Sequence, residues 1–85
     1  MQSFEYTIKD EVGVHARPAG ALVKLAAGLG STVTIEKGEK SADAKKLFAI
    51  LSLSIKFNDT IKVTASGETE EEDIKTIKNF FEENL

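Results

Sequence analysis

The only histidine, the only arginine and the only proline of this 85-residue chain are His15, Arg17 and Pro18. A neutral imidazole has one ring nitrogen whose lone pair is free to attack an electrophile near neutral pH. The guanidinium two residues further on adds a permanent positive charge and a planar set of donors that suits phosphate oxygens. These residue types predict nucleophilic chemistry on an anionic group at His15.

The sequence lacks the residues that a thiolate metal site or a cysteine-dependent catalytic site requires. The chain has no cysteine and no second histidine, so it can build neither a thiolate metal site nor a Cys–His pair. An enzyme with its own turnover is the weakest hypothesis, because no carboxylate is expected to pair with His15 and no nucleophile signature lies beside it. We therefore expect no metal, no cofactor and no independent catalysis. From the spacing alone, an equal alternative makes His15 a surface residue at a helix start and Arg17 a solvated side chain.

The residues after His15 have the spacing of a helix that would position the site. Small and apolar side chains recur at helical intervals from Ala16, and Gly28 and Gly30 mark a C-terminal stop. Pro18 falls in the first turn, where its missing N–H is harmless. His15 then precedes the first turn, whose unpaired amides and dipole favour a bound anion. A phosphoryl group on His15 would suit this helix end.

The rest of the chain predicts four strands and two further helices. Alternating apolar and polar side chains indicate strands at residues 3–9, 32–36, 40–43 and 60–66, and apolar spacing indicates helices at 43–53 and 69–85. The order β-α-β-β-α-β-α predicts an α+β fold, a four-stranded antiparallel sheet with three helices on one face. The length of the chain predicts one domain over residues 1–85.

The start of the last helix has its own signals. Thr69 and Glu72 have the spacing of a capping box, and the acidic run at residues 70–73 is expected to be a solvated first turn on the positive end of the helix dipole. The apolar residues that should face the core are Ile74, Ile77, Phe81 and Leu85.

Composition restricts the class of partner. Hydrophobic residues make up 41% and charged residues 29% of the chain, as in soluble globular proteins. No apolar run approaches the length of a membrane span, and the N-terminus lacks a signal-peptide pattern, so we expect a cytoplasmic protein without membrane insertion. A single arginine and no basic stripe disfavour nucleic acid. Residues 1–57 hold eight Lys or Arg and six Asp or Glu, which allows an acidic protein partner.

Residues 13–19, Gly-Val-His-Ala-Arg-Pro-Ala, resemble the active-site signature of the HPr family. These proteins are the histidine phosphocarriers of the phosphoenolpyruvate-dependent sugar phosphotransferase system. Residues 46–53, Lys-Leu-Phe-Ala-Ile-Leu-Ser-Leu, resemble the second motif of the family, and the resemblance extends over the whole chain. It implies an open-faced β-sandwich that works as a relay without turnover of its own.

The resemblance also implies roles for the residues of the signature. His15 would accept a phosphoryl group on Nδ1 from enzyme I and pass it to a sugar-specific enzyme IIA. Arg17 and the backbone amides of Ala16 and Arg17 would hold the phosphoryl oxygens, and Pro18 would set the helix start. We expect the protein to act as a monomer.

The short second helix predicts an exposed surface for these partners. Its apolar residues spread over more than the ~100° stripe that packing on a core requires. We assign Ile50 and Leu53 to the core and expect Leu47, Phe48 and Leu51 to form an exposed apolar patch. The alternative is a helix whose apolar side chains are all covered.

Four lysines could form a basic rim around that patch and steer acidic partners, namely Lys24, Lys40, Lys45 and Lys46. Taken alone, a lysine of this kind is more often simply a solvated side chain. Gly20 would let a partner approach the first helix closely, although tolerated sequence drift is the preferred interpretation. In the family this surface serves both donor and acceptor, so the partners would compete for it.

Three positions depart from the family pattern. Lys46 stands where many Gram-positive members have a serine that a kinase phosphorylates, which puts regulation through that serine in doubt. Ser54 stands where glycine is usual, and Gly20 where alanine or threonine is common. Two alternative functions therefore remain open: a regulatory binding module, and a nitrogen-related phosphorelay paralogue.

Overall fold

The computed structural model describes residues 1–85 as seven elements in the predicted order. They are β1 (Gln2–Thr7), α1 (Ala16–Ala27), β2 (Thr32–Lys37), β3 (Lys40–Asp43), α2 (Leu47–Ser52), β4 (Thr60–Ser66) and α3 (Glu70–Asn84). None of the helices is long and apolar enough to cross a membrane. The α+β class and the element order are confirmed.

Two of the predicted boundaries are wrong, one for a local reason and one because of a distant contact. The second helix begins at Leu47 rather than near Asp43, because Asp43 folds its own carboxylate into a turn. Asp43 Oδ1 accepts a bond from the Lys45 amide at 2.9 Å, and the Asp43 carbonyl accepts one from the Lys46 amide at 3.0 Å. The first strand ends at Thr7, and the Lys9 amide bonds instead to the Leu85 carbonyl at 2.6 Å.

The four strands form one antiparallel sheet in the order β1-β4-β2-β3. Val63 in the central strand β4 lies opposite Phe4 on one side and Ile35 on the other, and these side chains face the helices. The opposite face of the sheet is polar and open, as predicted from the alternation. Its exposed or half-buried side chains include Glu5, Thr7, Thr34, Glu36, Lys62 and Thr64.

The three helices cover one face of this sheet and enclose a single core of 18 buried hydrophobic residues. Phe81 of α3 is fully buried, and its ring lies 6.0 Å from that of Phe4 and 5.6 Å from that of Tyr6. In α1, Ala19 and Leu22 have no exposed surface, so the helix that begins beside His15 is held in place by side chains packed in the core.

The start of α3 differs from the predicted capping box. The Thr69 hydroxyl makes no cap hydrogen bond and donates instead to Asp73 Oδ2 at 2.7 Å, and Glu72 takes no part. Asp73 is buried rather than solvated, because the same oxygen accepts the Ser31 amide at 3.0 Å from the loop after α1. A tertiary partner therefore replaces the local cap that the sequence pattern suggested.

Because of these contacts, the contribution of the Asp73 carboxylate to the stability of the fold depends on pH. The buried Ser31 hydroxyl, which faces the carboxylate without a well-formed hydrogen bond, and the Thr69 hydroxyl hold the pKa of Asp73 below its usual value. A carboxyl group whose pKa is lower in the folded than in the unfolded state stabilises the fold above its unfolded pKa. That contribution is lost as the pH falls through the lower, folded pKa.

Replacing Ser54 by glycine is expected to raise the free energy of unfolding by about 0.5–1 kcal/mol. Ser54 has a φ of 51°, a left-handed conformation that disfavours a side chain, and glycine adopts it without strain. Chemical denaturation of both proteins measures the difference. The control is Ser41→Gly in strand β3, which should lower stability because glycine only adds flexibility there. Equal losses at both positions would show that Ser54 is unstrained.

Candidate functional site

The start of α1 presents the imidazole of His15 without using it in the fold. His15 is the N-cap residue, with an extended backbone at φ −109° and ψ −176°, and its side chain makes no cap hydrogen bond. Its carbonyl accepts the amide of Ala19 at 3.0 Å, the first bond of the helix. The half-buried ring is therefore free to react. Pro18 is buried in the first turn, as predicted.

The first turn of α1 also offers two unused donors. The amides of Ala16 and Arg17 precede the first helical hydrogen bond, and neither donates to another group of the chain. Free amides at the positive end of a helix dipole form an anion site. The exposed guanidinium of Arg17 lies at the same end of the helix. The predicted donors therefore belong to the same helix start as His15.

The loop before His15 packs against the segment that precedes β4. Gly13 has a φ of +78°, and a Cβ atom there would lie 2.6 Å from the Ile55 carbonyl oxygen and 2.8 Å from Lys56 Cα. The Val14 amide donates to the same Ile55 carbonyl at 3.0 Å. The absence of a side chain at Gly13 therefore lets the two backbones touch and sets the position of His15.

Asp59 holds this supporting loop in shape. Its Oδ2 accepts the Lys56 amide at 2.8 Å and lies 2.9 Å from Lys37 Nζ, which also donates to the Ser54 carbonyl at 2.7 Å. The Lys56 amide and the Lys37 ammonium hold the pKa of the Asp59 carboxyl below its usual value. The charged form of Asp59 is thus the one that stabilises the loop.

His15 opens into a pocket of about 270 Å³ at the end of α1. Three of its lining residues were predicted from the sequence to belong to the site, and the other three were not. The six residues are Asp10, His15, Arg17, Pro18, Ala21 and Asn84.

Asp10 lines the same pocket as His15, a proximity that was not predicted from the sequence. Its position three residues before Gly13 is a turn signal that could have placed it in this loop, although not beside the imidazole. No local pattern could have placed Asn84, which is near the other end of the chain. No hydrogen bond joins Asp10 to His15, so the two do not form an acid–base pair in this structure.

A second cavity, of about 420 Å³, lies at the start of α3 and is lined by polar residues from Gly67 to Glu72. It shares no lining residue with the pocket at His15. The structure contains no group of three or more His, Cys, Asp or Glu side chains arranged to hold a metal ion.

The short helix α2 presents part of the predicted apolar patch. Ile50 and Leu53 are buried in the core, as assigned from the sequence. Phe48 is 82% exposed, whereas Leu47 and Leu51 are half-buried against the core. The patch is therefore one protruding ring with two partly covered neighbours. Its role in partner binding stays a prediction.

The basic and small residues predicted around that patch lie on the surface. Lys24 is in the last turn of α1, and Lys45 and Lys46 lie just before α2, all of them exposed. Helices α1 and α2 are in contact, which brings these residues to neighbouring elements. A Cβ atom added at Gly20 would meet nothing within 4 Å, so packing within the chain does not require glycine there.

The family model described as the HPr component phosphorylation site of the phosphotransferase system matches residues 2–83. The chain is 36% identical over 85 residues to the phosphocarrier protein HPr of Mycoplasma genitalium, an alignment that covers 99% of this chain and 97% of that protein. The solved structure of HPr-C-His from Thermoanaerobacter tengcongensis is similar with a TM-score of 0.91 at 35% identity, covering 96% of this chain and 92% of that one. An HPr dimer from the same organism is similar with a TM-score of 0.77 at 35% identity, covering 98% and 95%. Since the family model spans nearly the whole chain and full-length relatives share its fold, this chain belongs to the HPr family, the phosphocarriers of the phosphotransferase system.

Proposed function

We propose that His15 is the residue of this phosphocarrier that accepts the phosphoryl group from enzyme I and passes it to a sugar-specific enzyme IIA. One observation carries the proposal: a histidine whose side chain makes no hydrogen bond in the fold lies at a helix start with two free amides and shares a pocket with the only arginine of the chain. This set can attack phosphorus and hold its oxygens without other groups.

The transfer step needs no proton acceptor. The lone pair of His15 Nδ1 forms the new N–P bond while the N–P bond of the donor phosphohistidine breaks and leaves its electron pair on the donor nitrogen. The imidazole proton stays on Nε2 throughout. Onward transfer to enzyme IIA is the same step with His15 as the donor, so the chain leaves each cycle unchanged.

Arg17 and the amides of Ala16 and Arg17 supply the electrostatics of this step. Phosphoryl transfer passes through a loose transition state, in which positioning and charge stabilisation provide most of the catalysis. Donors that are already fixed by the helix need no rearrangement when the charged group arrives. The site therefore guides the phosphoryl group without forming any further covalent bond to it.

We also propose that enzyme I and enzyme IIA bind in turn to the surface around Phe48. An aromatic side chain that is 82% exposed is typical of an interface residue, and Leu47 and Leu51 extend it at the edge of the core. The exposed lysines Lys24, Lys45 and Lys46 would steer acidic partners toward it.

We propose that the carrier works as a monomer, although a dimeric relative is known. The large exposed apolar side chains are Met1, Val12, Phe48 and Phe57, which belong to different segments of the chain. An obligate dimer would instead bury a continuous apolar face. Light scattering at working concentrations tests this.

Incubation with phosphoenolpyruvate and catalytic enzyme I is expected to add one acid-labile phosphoryl group to the chain, measured by intact-protein mass. Purified enzyme IIA of the sugar branch should then remove it. A chain that gains no phosphoryl group contradicts the proposal. If the loaded chain transfers its phosphoryl group only to a nitrogen-branch acceptor, the nitrogen-related phosphorelay replaces sugar delivery. If it transfers to no enzyme IIA and binds a regulator instead, the regulatory binding module replaces it.

A further inference from the structure

The pocket at His15 contains a negative charge that the phosphocarrier role does not explain. Asp10 and Arg17 line the same space of about 270 Å³ as His15, so the site holds one carboxylate and one guanidinium. Arg17 favours an incoming phosphoryl group, whereas Asp10 opposes it. A site selected only to bind the anion tightly would not place a carboxylate there.

The fold holds Asp10 rigidly in this place. Its amide donates to the Leu85 carbonyl at 2.9 Å, and its own carbonyl accepts the Gly13 amide at 3.0 Å. Its side-chain Oδ1 accepts the Val12 amide at 2.8 Å. Oδ2 has no hydrogen bond or ion pair within the chain. The turn therefore holds the carboxylate in place when a second negative charge arrives, and Arg17, although it lines the same pocket, forms no ion pair with it.

We propose that Asp10 sets the transfer potential of the carrier by destabilising the phosphorylated state of His15. This inference rests on the proposed function. A phosphoryl group brings between one and two negative charges at pH 7. The fixed carboxylate raises the free energy of phospho-His15 relative to free His15, so loading is less complete and release of the phosphoryl group to the next acceptor is more favourable.

The chemistry of the transfer itself is unchanged by Asp10. The carboxylate forms no bond to phosphorus and takes no proton, because Nδ1 attacks with its lone pair and the donor nitrogen leaves with the electrons of the broken N–P bond. Asp10 changes only the position of the equilibrium between phosphorylated donor and phosphorylated carrier. It is thus a tuning residue for a carrier that must release what it accepts.

The test compares Asp10→Asn with Glu11→Gln. Asparagine keeps an oxygen for the Val12 amide and removes the charge, so the turn survives. Glu11→Gln removes the same charge from an exposed residue next to it that does not line the pocket. The equilibrium constant for phosphoryl exchange with enzyme I is measured from the four free species, so encounter rates do not affect it.

For Asp10→Asn we expect the equilibrium constant to shift toward the phosphorylated carrier by about three- to tenfold at low salt, because one of two like charges in a shared surface pocket is removed. The shift should shrink as salt rises, because mobile ions screen exposed charges. Glu11→Gln should shift it by less than half as much on a logarithmic scale. A structural role for Asp10 would produce neither the asymmetry between the two variants nor the salt dependence.

Three results would overturn the inference. One is an equilibrium constant for Asp10→Asn equal to that of the wild type or of Glu11→Gln. Another is a shift that appears only in Asp10→Ala, which also loses the bond to the Val12 amide, because that pattern belongs to the turn and not to the charge. A wild-type chain that takes no phosphoryl group at all overturns the proposed function and this inference with it, whereas the first two results leave the proposed function intact.

Discussion

His15→Ala is expected to abolish phosphoryl uptake from enzyme I while leaving the fold intact. The imidazole is the only side chain in the pocket with a free nitrogen lone pair, so no neighbour can replace it. Because the ring makes no cap hydrogen bond, we expect the free energy of unfolding to change by no more than about 0.5 kcal/mol. Intact-protein mass after incubation with phosphoenolpyruvate and enzyme I, beside a thermal melt, measures both effects.

The variant Arg17→Ala distinguishes the role of the nucleophile from the role of the groups that hold the anion. Loss of one positioned donor at a developing charge slows a reaction by roughly 100-fold or more, so this variant should load slowly but to a single phosphoryl group. Lys78→Ala, which removes an exposed cation on α3, is the control and should load at the rate of the wild type. If the His15→Ala protein still gained a phosphoryl group, another residue would be the acceptor.

Gly13→Ala should destabilise the protein far more than Gly38→Ala, although both glycines have positive φ. Gly38, at a φ of +60°, has nothing within 4 Å of an added Cβ, so alanine there costs about 1–2 kcal/mol of backbone strain alone. At Gly13 the same Cβ would overlap the Ile55 carbonyl and Lys56 Cα, both of them backbone atoms that cannot turn aside. Overpacking adds a further loss of about 1–3 kcal/mol.

The Gly13 variant also tests how the loop presents His15. If the loop moves off the chain before β4 to relieve the overlap, the Val14 hydrogen bond to Ile55 is lost, and phosphoryl uptake should slow in the molecules that remain folded. Denaturant titration gives the stability of both variants, and the loading rate under native conditions gives the second effect. Equal stability of the two alanine variants would mean that the contact beneath Gly13 is not tight.

The position of His15 relative to α1 was predictable because its signals are local. Helical spacing after Ala16, together with a proline that fits the first turn, places His15 at the helix start, and the amides left free there follow from helix geometry. Alternation of apolar residues likewise predicted the strands and the sheet face that the helices cover, since strand periodicity is a property of neighbouring residues. The site residues of the signature lie where these patterns placed them.

Contacts between distant segments decided the remaining features. The sequence pattern predicted a capping box between Thr69 and Glu72, yet the Thr69 hydroxyl binds Asp73, which also accepts the Ser31 amide from another loop. The carboxylate of Asp10 enters the His15 pocket because the Leu85 carbonyl at the far end of the chain holds its amide.

By itself, the sequence determined the order of the elements, the helix start at His15 and the residue types available for phosphoryl chemistry. Only the tertiary structure decided that Phe48 protrudes while Leu47 and Leu51 are half-buried, and that a carboxylate shares the pocket with His15. Local periodicity reports which face of an element is apolar. It contains no information on which loop packs against which, because those contacts join residues that are far apart in the chain and depend on how the helices cover the sheet.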